Sequence, residues 1–177
     1  MNYILIMTEG LTELAFVNVL LEKKLLKFSK EELLMERIYH SRQISGEILN
    51  FIQILPNNDT VDIYRVGDKL QDKLKIPSSI LKEKIRNKYD ICTLPEFEML
   101  FILNENLYNE YLKNKSIKKP SVFYKEVNKK YNKQTKFVFD YFINMGNENI
   151  VSLIDLYVKK HKGAHSKNQY TLKEIIK

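Results

Sequence analysis

The sequence predicts an α/β fold: a small parallel sheet flanked by helices, followed by a basic helical appendix. Three observations predict it. The unbroken apolar run at residues 3–7 suits a strand buried on both faces, and 61–66 and 89–94 read as two further strands. Helical apolar spacing separates those runs, and strands alternating with helices indicate parallel βαβ units. Beyond about residue 112 the strand signals stop and lysine-rich helical patterns take over. The chain therefore divides into an α/β part over 1–112 and a lysine-rich helical extension over 113–177. No Gly/Ser-rich linker separates the two, so they are expected to pack as one compact unit.

The elements follow in order. Residues 3–7 read as a strand that stops at Thr8-Glu9-Gly10. Leu11, Leu14, Ala15, Val17, Leu21, Leu25 and Phe28 then recur at helical spacing, predicting a helix over about 11–28 that Thr12 caps or opens. Residues 31–35 extend that helical region, and Arg37-Ile38-Tyr39-His40 gives a short strand. Ser45-Gly46-Glu47 reads as a helix start, with Ile48, Leu49, Ile52 and Leu55 as its apolar face. Pro56-Asn57-Asn58-Asp59 ends it as a turn. The strand at 61–66 runs into Gly67-Asp68-Lys69. A helix is expected over 78–87 after Pro77, then the strand at 89–94, which ends at Pro95-Glu96-Phe97-Glu98. Residues 99–103 begin another helix. Further helices are expected over 121–131, 137–145, 149–160 and 172–176, with Ser121 and Asn147 as caps.

Bulk properties narrow the function classes. A chain of 177 residues, 44% hydrophobic and 29% charged, has the length and composition of an ordinary globular domain. No run approaches the ~20 apolar residues of a membrane helix. The amino-terminal apolar run is too short for a secretory leader and lacks a basic lead-in. The single cysteine, Cys92, cannot form an internal bridge or a zinc cage. It reads as a buried strand thiol, and a cytoplasmic location is expected. There is neither a Walker loop nor a GxGxxG, so ATP hydrolysis and dinucleotide binding lack support.

The net charge of +7 is unevenly placed. Residues 113–136 carry nine lysines against one acid, Glu126. A second basic stretch starts at Lys159 and includes Lys160, Lys162 and Lys167. Local clustering of this kind points to nucleic-acid phosphate. Lysine is also the solubilising residue of choice in a composition this rich in Asn, Ile and Tyr, so total charge alone decides nothing. Arg42, Lys69, Lys118, Lys119, Lys129, Lys130, Lys160, Lys162 and Lys167 are the candidate nucleic-acid contacts. Tyr124, Tyr131, Phe137, Phe139, Tyr141 and Phe142 interleave with these lysines. Their helical spacing favours a core role over base stacking. His161 and His165, four apart, would share a helical face, but Gly163 between them argues for a solvated tail.

Carboxylates follow each of the three strands. Glu9 and Glu13 follow the first, Asp68 and Asp72 the second, Glu96 and Glu98 the third. In a parallel sheet the carboxyl ends share one edge, where α/β folds bind ligands. Crowded carboxylates need protons or cations to offset their repulsion. Hard oxygen donors suit magnesium or manganese. Two such ions would clamp the attacking and leaving oxygens of a phosphodiester. Taken singly, Glu13 reads as a first-turn acid, Asp68 as a turn former and Glu98 as a solvated helix residue. Their joint placement favours a metal site.

Thr8-Glu9-Gly10-x-Thr12-Glu13, between an apolar strand and an apolar helix, resembles the first motif of the toprim fold, a Rossmann-like parallel α/β architecture. More narrowly it resembles the overcoming-lysogenization-defect (OLD) nucleases and related small phage-defence toprim proteins. The resemblance spans about 1–103 and implies Glu9 and Glu13 as metal ligands, with Glu9 also a candidate general base. The family's second motif is an aspartate pair. Here Asp68 matches, Leu70 stands where the partner is expected, and Asp72 lies one helical turn on. Pro95-Glu96-Phe97-Glu98 fits the third motif, with Glu98 the better ligand. The resemblance thus implies a metal-dependent nuclease, a hydrolase with Glu9, Asp68 and Glu98 at its catalytic centre and Glu13, Asp72 and Glu96 as further metal-site acids. It implies Mg2+ or Mn2+ as cofactor, DNA or RNA as substrate, and a role in antiviral defence alongside a separate ATPase subunit. The small basic chain adds transfer RNA as a candidate substrate, and self-association is also expected. The altered second motif keeps a different reading open: a toprim scaffold without catalysis, binding nucleic acid or docking as a regulatory subunit onto an ATPase or larger nuclease.

Overall fold

The computed structural model describes residues 1–44, 46–68, 72–76, 79–161 and 170–177, with Ile80 described by its backbone alone. It is an α/β structure built on a four-stranded parallel sheet in the order β2-β1-β3-β4, with β1 Asn2–Thr8, β2 Tyr39–His40, β3 Thr60–Gly67 and β4 Ile85–Cys92. The architecture is that of a small Rossmann-like fold. Among the described residues, no helix is long and apolar enough to cross a membrane.

Alternation along the strands divides the core. Ile4, Ile6, Val66 and Ile91 face one layer, formed by α1 (Leu11–Glu22), α4 (Met99–Asn104), α6 (Pro120–Val127), α7 (Thr135–Ile143) and α8 (Asn147–Lys160). Leu5, Met7, Val61 and Ile63 face a smaller cluster with Ile48 and Ile52 of α2 (Gly46–Ile54) and Leu81 of α3 (Ser79–Lys84). Layers on both faces explain why β1 reads as a continuous apolar run, whereas β3 also buries Asp62 and Arg65. The lysine-rich part is not a separate body. Phe101 of α4 stacks on Tyr124 with ring centroids 4.9 Å apart, and also meets Tyr131, Phe137, Tyr141 and Phe142. The aromatics among the lysines are thus spent on a shared core.

Several boundaries differ from the sequence reading. The first helix ends at Glu22, not near Phe28, because Lys24 takes a left-handed φ of 56°. Leu26 then forms an antiparallel bridge with Ile176. Residues 31–35 do not continue a helix but fall in two 3-10 turns, Lys30–Glu32 and Leu34–Glu36. The helix expected over 78–87 stops at Lys84, and β4 takes Ile85 onward. The helix expected over 121–131 closes at Val127, and Lys119, not Ser121, is its N-cap, with Pro120 in the first turn. Gly146, not Asn147, caps α8. Residues 172–174 form a 3-10 turn. A further helix, α5 (Tyr108–Asn114), had no clear sequence signal. The final segment returns to the sheet edge, where Tyr170 bridges Ile91 in parallel.

Candidate functional site

The sheet register builds the site. Thr8 lies opposite Val66, and Gly67 opposite Cys92, so the three strands end level with one another. The lock continues one residue beyond. The Glu9 amide donates to Val66 O at 2.8 Å, and the Thr93 amide to Gly67 O at 3.0 Å. Glu9, Asp68 and the turn that carries Glu96 and Glu98 are therefore delivered to one edge. Together Glu9, Glu13, Asp68, Glu96 and Glu98 line a cavity of about 330 Å³. Arg42, from the loop after β2, and Lys133, from the loop between α6 and α7, complete its wall.

Glu13 is 5% exposed, in the first turn of α1. Thr12 Oγ1 donates to its Oε2 at 2.8 Å and Thr93 Oγ1 to its Oε1 at 3.2 Å. Thr12 thus serves the carboxylate rather than the helix end, and Gly10 is the N-cap. A Cβ at Gly10 would overlap Glu13 Oε2 and stand 3.3 Å from its Cδ, so this position is glycine to admit the carboxylate. Burial raises the Glu13 pKa; the Thr12 and Thr93 hydroxyls oppose the shift and the charge of Asp68 adds to it.

Glu98 is 3% exposed and accepts from Tyr131 Oη at 2.7 Å. Its Oε1 also pairs with Lys133 Nζ at 3.0 Å. Burial and then the Glu98 charge push the Tyr131 phenol well above its ordinary range. Burial alone would lower Lys133, but the Glu98 hydrogen bond and the charges of Glu98, Glu96 and Asp68 outweigh it and raise its pKa. Lys133 thus responds to three of the five acids. Glu9 pairs with Arg42 at 3.2 Å, and His40 Nε2 lies 3.2 Å from the Glu9 carbonyl oxygen. Glu96 accepts from the Ser121 amide at 2.9 Å, tying α6 to the site.

Asp72 departs from expectation. It is exposed, is not among the residues lining this cavity, and its carbonyl accepts from Arg65 at 2.9 Å. One turn of displacement therefore does not replace the missing partner of Asp68. Lys133, Tyr131 and Thr93 are additions to the site that no local motif announces. Cys92 is buried, its thiol pushed up to about 11 by burial and then by Asp90, as a structural strand thiol should be.

The basic candidates scatter more widely. Lys118 and Lys119 line a second cavity beside Asp68 and Glu96, and Lys118 pairs with Glu126 at 2.5 Å. Lys129 lines a third, and Lys130 is exposed next to it. Lys160 sits on the Tyr108 ring, away from the acids in sequence and contact, with Nζ 4.8 Å from its centroid. His161 Nδ1 lies 2.8 Å from Tyr157 O. Lys69, Lys162, Lys167 and His165 lie outside the described residues.

The donor set is all oxygen and suits a hard divalent cation. The spacing is less favourable. Among the described residues, no group of three or more His, Cys, Asp or Glu side chains stands close enough to hold an ion. Arg42 and Lys133 neutralise two of the carboxylates instead. The residues fit such an ion in kind but do not form a closed cage. Compared with protein-family models, curated proteins and solved structures, the chain matches none.

Proposed function

We propose that this pocket is a toprim-like phosphodiester-cleaving centre that acts on nucleic acid with magnesium or manganese. The observation that carries the reading is the gathering of Glu9, Glu13, Asp68, Glu96 and Glu98 from three strand ends around one cavity. Such a concentration of acids is costly unless a cation is part of its use. Glu9, Asp68 and Glu98 are the candidate ligands. The cation, when bound, supplies charge stabilisation at phosphoryl oxygens and activation of water. The chain's own groups have separate tasks. Thr12 and Thr93 hold the Glu13 carboxyl, whose pKa burial raises. Arg42 and Lys133 are donors placed to receive a phosphate. The antiviral role and the ATPase partner rest on the resemblance alone.

The test is cleavage of supercoiled plasmid, single-stranded DNA and transfer RNA with and without manganese. It is run on wild type, Glu9→Gln and Asp68→Asn, with manganese binding followed by electron paramagnetic resonance. Manganese-dependent cleavage and ion binding lost in both variants support the proposal. Cleavage that survives both substitutions rejects the site.

A second reading is a scaffold that binds nucleic acid without cutting it. It is favoured by the absence of a closed cage among the described residues and by the ion pairs of Glu9 and Glu98. Salt-sensitive binding without cleavage or manganese uptake selects that reading.

A further inference from the structure

The acidic pocket is flanked by two basic grooves that the catalytic reading leaves unused. The first, about 530 Å³, is lined by Lys115, Lys118 and Lys119 with Ile117. It shares Asp68 and Glu96 with the acidic pocket. The second, about 690 Å³, is lined by Lys125 and Lys129 with Val122 and Tyr131. It shares Lys133 with the acidic pocket. Shared lining sets each groove directly against the acidic pocket, so a path leads from basic surface to the acids. The Lys118–Glu126 pair joins the walls of the two grooves.

Charge and apolar surface coincide along this path. Lys115, Lys119, Lys125 and Lys129 are exposed, and none has a carboxylate partner among the described residues. Beside them Ile117 is 76% exposed and Val122 48% exposed. Lysine heads suit phosphates, and exposed aliphatic carbons suit the faces of bases. A duplex offers only its phosphates, because its base faces are already stacked. An unpaired strand offers both.

We infer that the substrate is a single nucleic-acid strand, held on both sides of the acidic pocket by the Lys115/Lys119 groove and the Lys125/Lys129 groove. The inference rests on the phosphodiester reading of that pocket and adds the substrate class and its path. Backbone contacts on either side would fix one phosphodiester over the acids without reading sequence.

The test is fluorescence anisotropy of the full chain in EDTA, with 20-nucleotide oligothymidine, 20-nucleotide oligouridine and a 20-base-pair DNA duplex. Three charge-reversed pairs are compared: Lys115→Glu/Lys119→Glu, Lys125→Glu/Lys129→Glu, and Lys82→Glu/Lys88→Glu on exposed positions elsewhere. Both strands are expected to bind at least tenfold tighter than duplex. Each groove pair should weaken strand binding tenfold or more and reduce the log–log salt slope by about 1.4, some 0.7 per lost contact. The control pair should change affinity less than threefold. Ile117→Ser/Val122→Ser should narrow the preference for strand over duplex. Groove pairs that bind like the control, or duplex bound as tightly as strand, overturn the inference. The two proposals fail separately. Groove-dependent binding with no manganese-dependent cleavage sinks the catalytic reading alone. Cleavage lost in Glu9→Gln but unaffected by either groove pair sinks the strand path alone.

Discussion

Gly10→Ala isolates the physical design of the acidic edge. Gly10 has φ −117° and ψ 162°, an extended conformation open to any residue, so the substitution meets no backbone penalty. The obstacle is Glu13. The new methyl would overlap Oε2, stand 3.3 Å from Cδ and come within 3.6 Å of Thr12 Oγ1. The carboxylate must swing away and give up the 2.8 Å bond from Thr12, in a place where it is 5% exposed. A hydrogen bond to a charged group is worth about 1.5–3 kcal/mol. Loss of unfolded-chain entropy returns about 0.4–1 kcal/mol. The expected net cost is about 1–2 kcal/mol, or roughly 2–8 °C in melting temperature for a chain of this size. Urea denaturation of the four proteins in the Gly10→Ala, Glu13→Ala cycle measures it. In the Glu13→Ala background the alanine at 10 should be neutral or stabilising. The same cost in both backgrounds would refute a glycine chosen for its carboxylate neighbour.

Other elements give independent tests. Asp62 is 4% exposed and held by Arg86, Asn2 and Asn87. Burial alone would raise its pKa, but those hydrogen bonds and the Arg86 charge bring it below 3.8. Its stabilisation is therefore present above pH 3.8 and lost as pH falls through the depressed folded value, so Asp62→Asn should flatten the acid limb of stability against pH. Phe101→Ala should cost about 3–5 kcal/mol by urea denaturation and loosen the layer it shares with Tyr124 and Phe142. Cys92 should resist a thiol reagent at pH 8 in the folded protein and react at once in denaturant, since burial holds the thiol up near 11.

What the sequence disclosed follows from how local each signal is. β1 was legible because both faces are covered, which leaves an unbroken apolar run, and β3 because Val61, Ile63, Tyr64 and Val66 stand out around Asp62 and Arg65. The first half of β4 was not. Arg86 and Lys88 are exposed on it, and a polar edge segment next to a lysine-rich helix carries little hydrophobic signal. The early end of the first helix was equally hidden. Leu25 and Phe28 keep helical spacing, but the chain leaves the helix at Lys24 to pair with residues near the carboxyl terminus, a contact no local pattern reveals. In the site, Glu9, Gly10 and Glu13 lie within five residues and form a readable motif. Lys133 lines the same cavity and Tyr131 bonds Glu98, both from a loop more than 30 residues beyond Glu98 in a stretch that reads as a basic run. Asp72 shows the converse error. Proximity in sequence suggested a substitute ligand, but Asp72 is exposed and does not line the cavity.

The two cations in the pocket bear on what its acids are for. A carboxylate as buried as Glu98 must have a partner, and Tyr131 with Lys133 supplies one. Lys133, however, is tethered through a side chain that is 63% exposed, and Arg42 through one that is 64% exposed. Ion pairs with one solvated member contribute little to stability, commonly below about 1 kcal/mol. Glu98 already has one buried donor in Tyr131, so Lys133 adds charge rather than the first partner. The two positive side chains sit at the rim, where a competing cation could displace them at small cost and a phosphate could recruit them in turn. Lys133→Ala separates the two uses. If Lys133 is merely structural, its loss should lower stability and leave manganese binding unchanged. If it holds the place of a metal, manganese should bind more tightly in the variant while nucleic-acid affinity falls. Weaker manganese binding in Lys133→Ala would refute competition between the lysine and the ion.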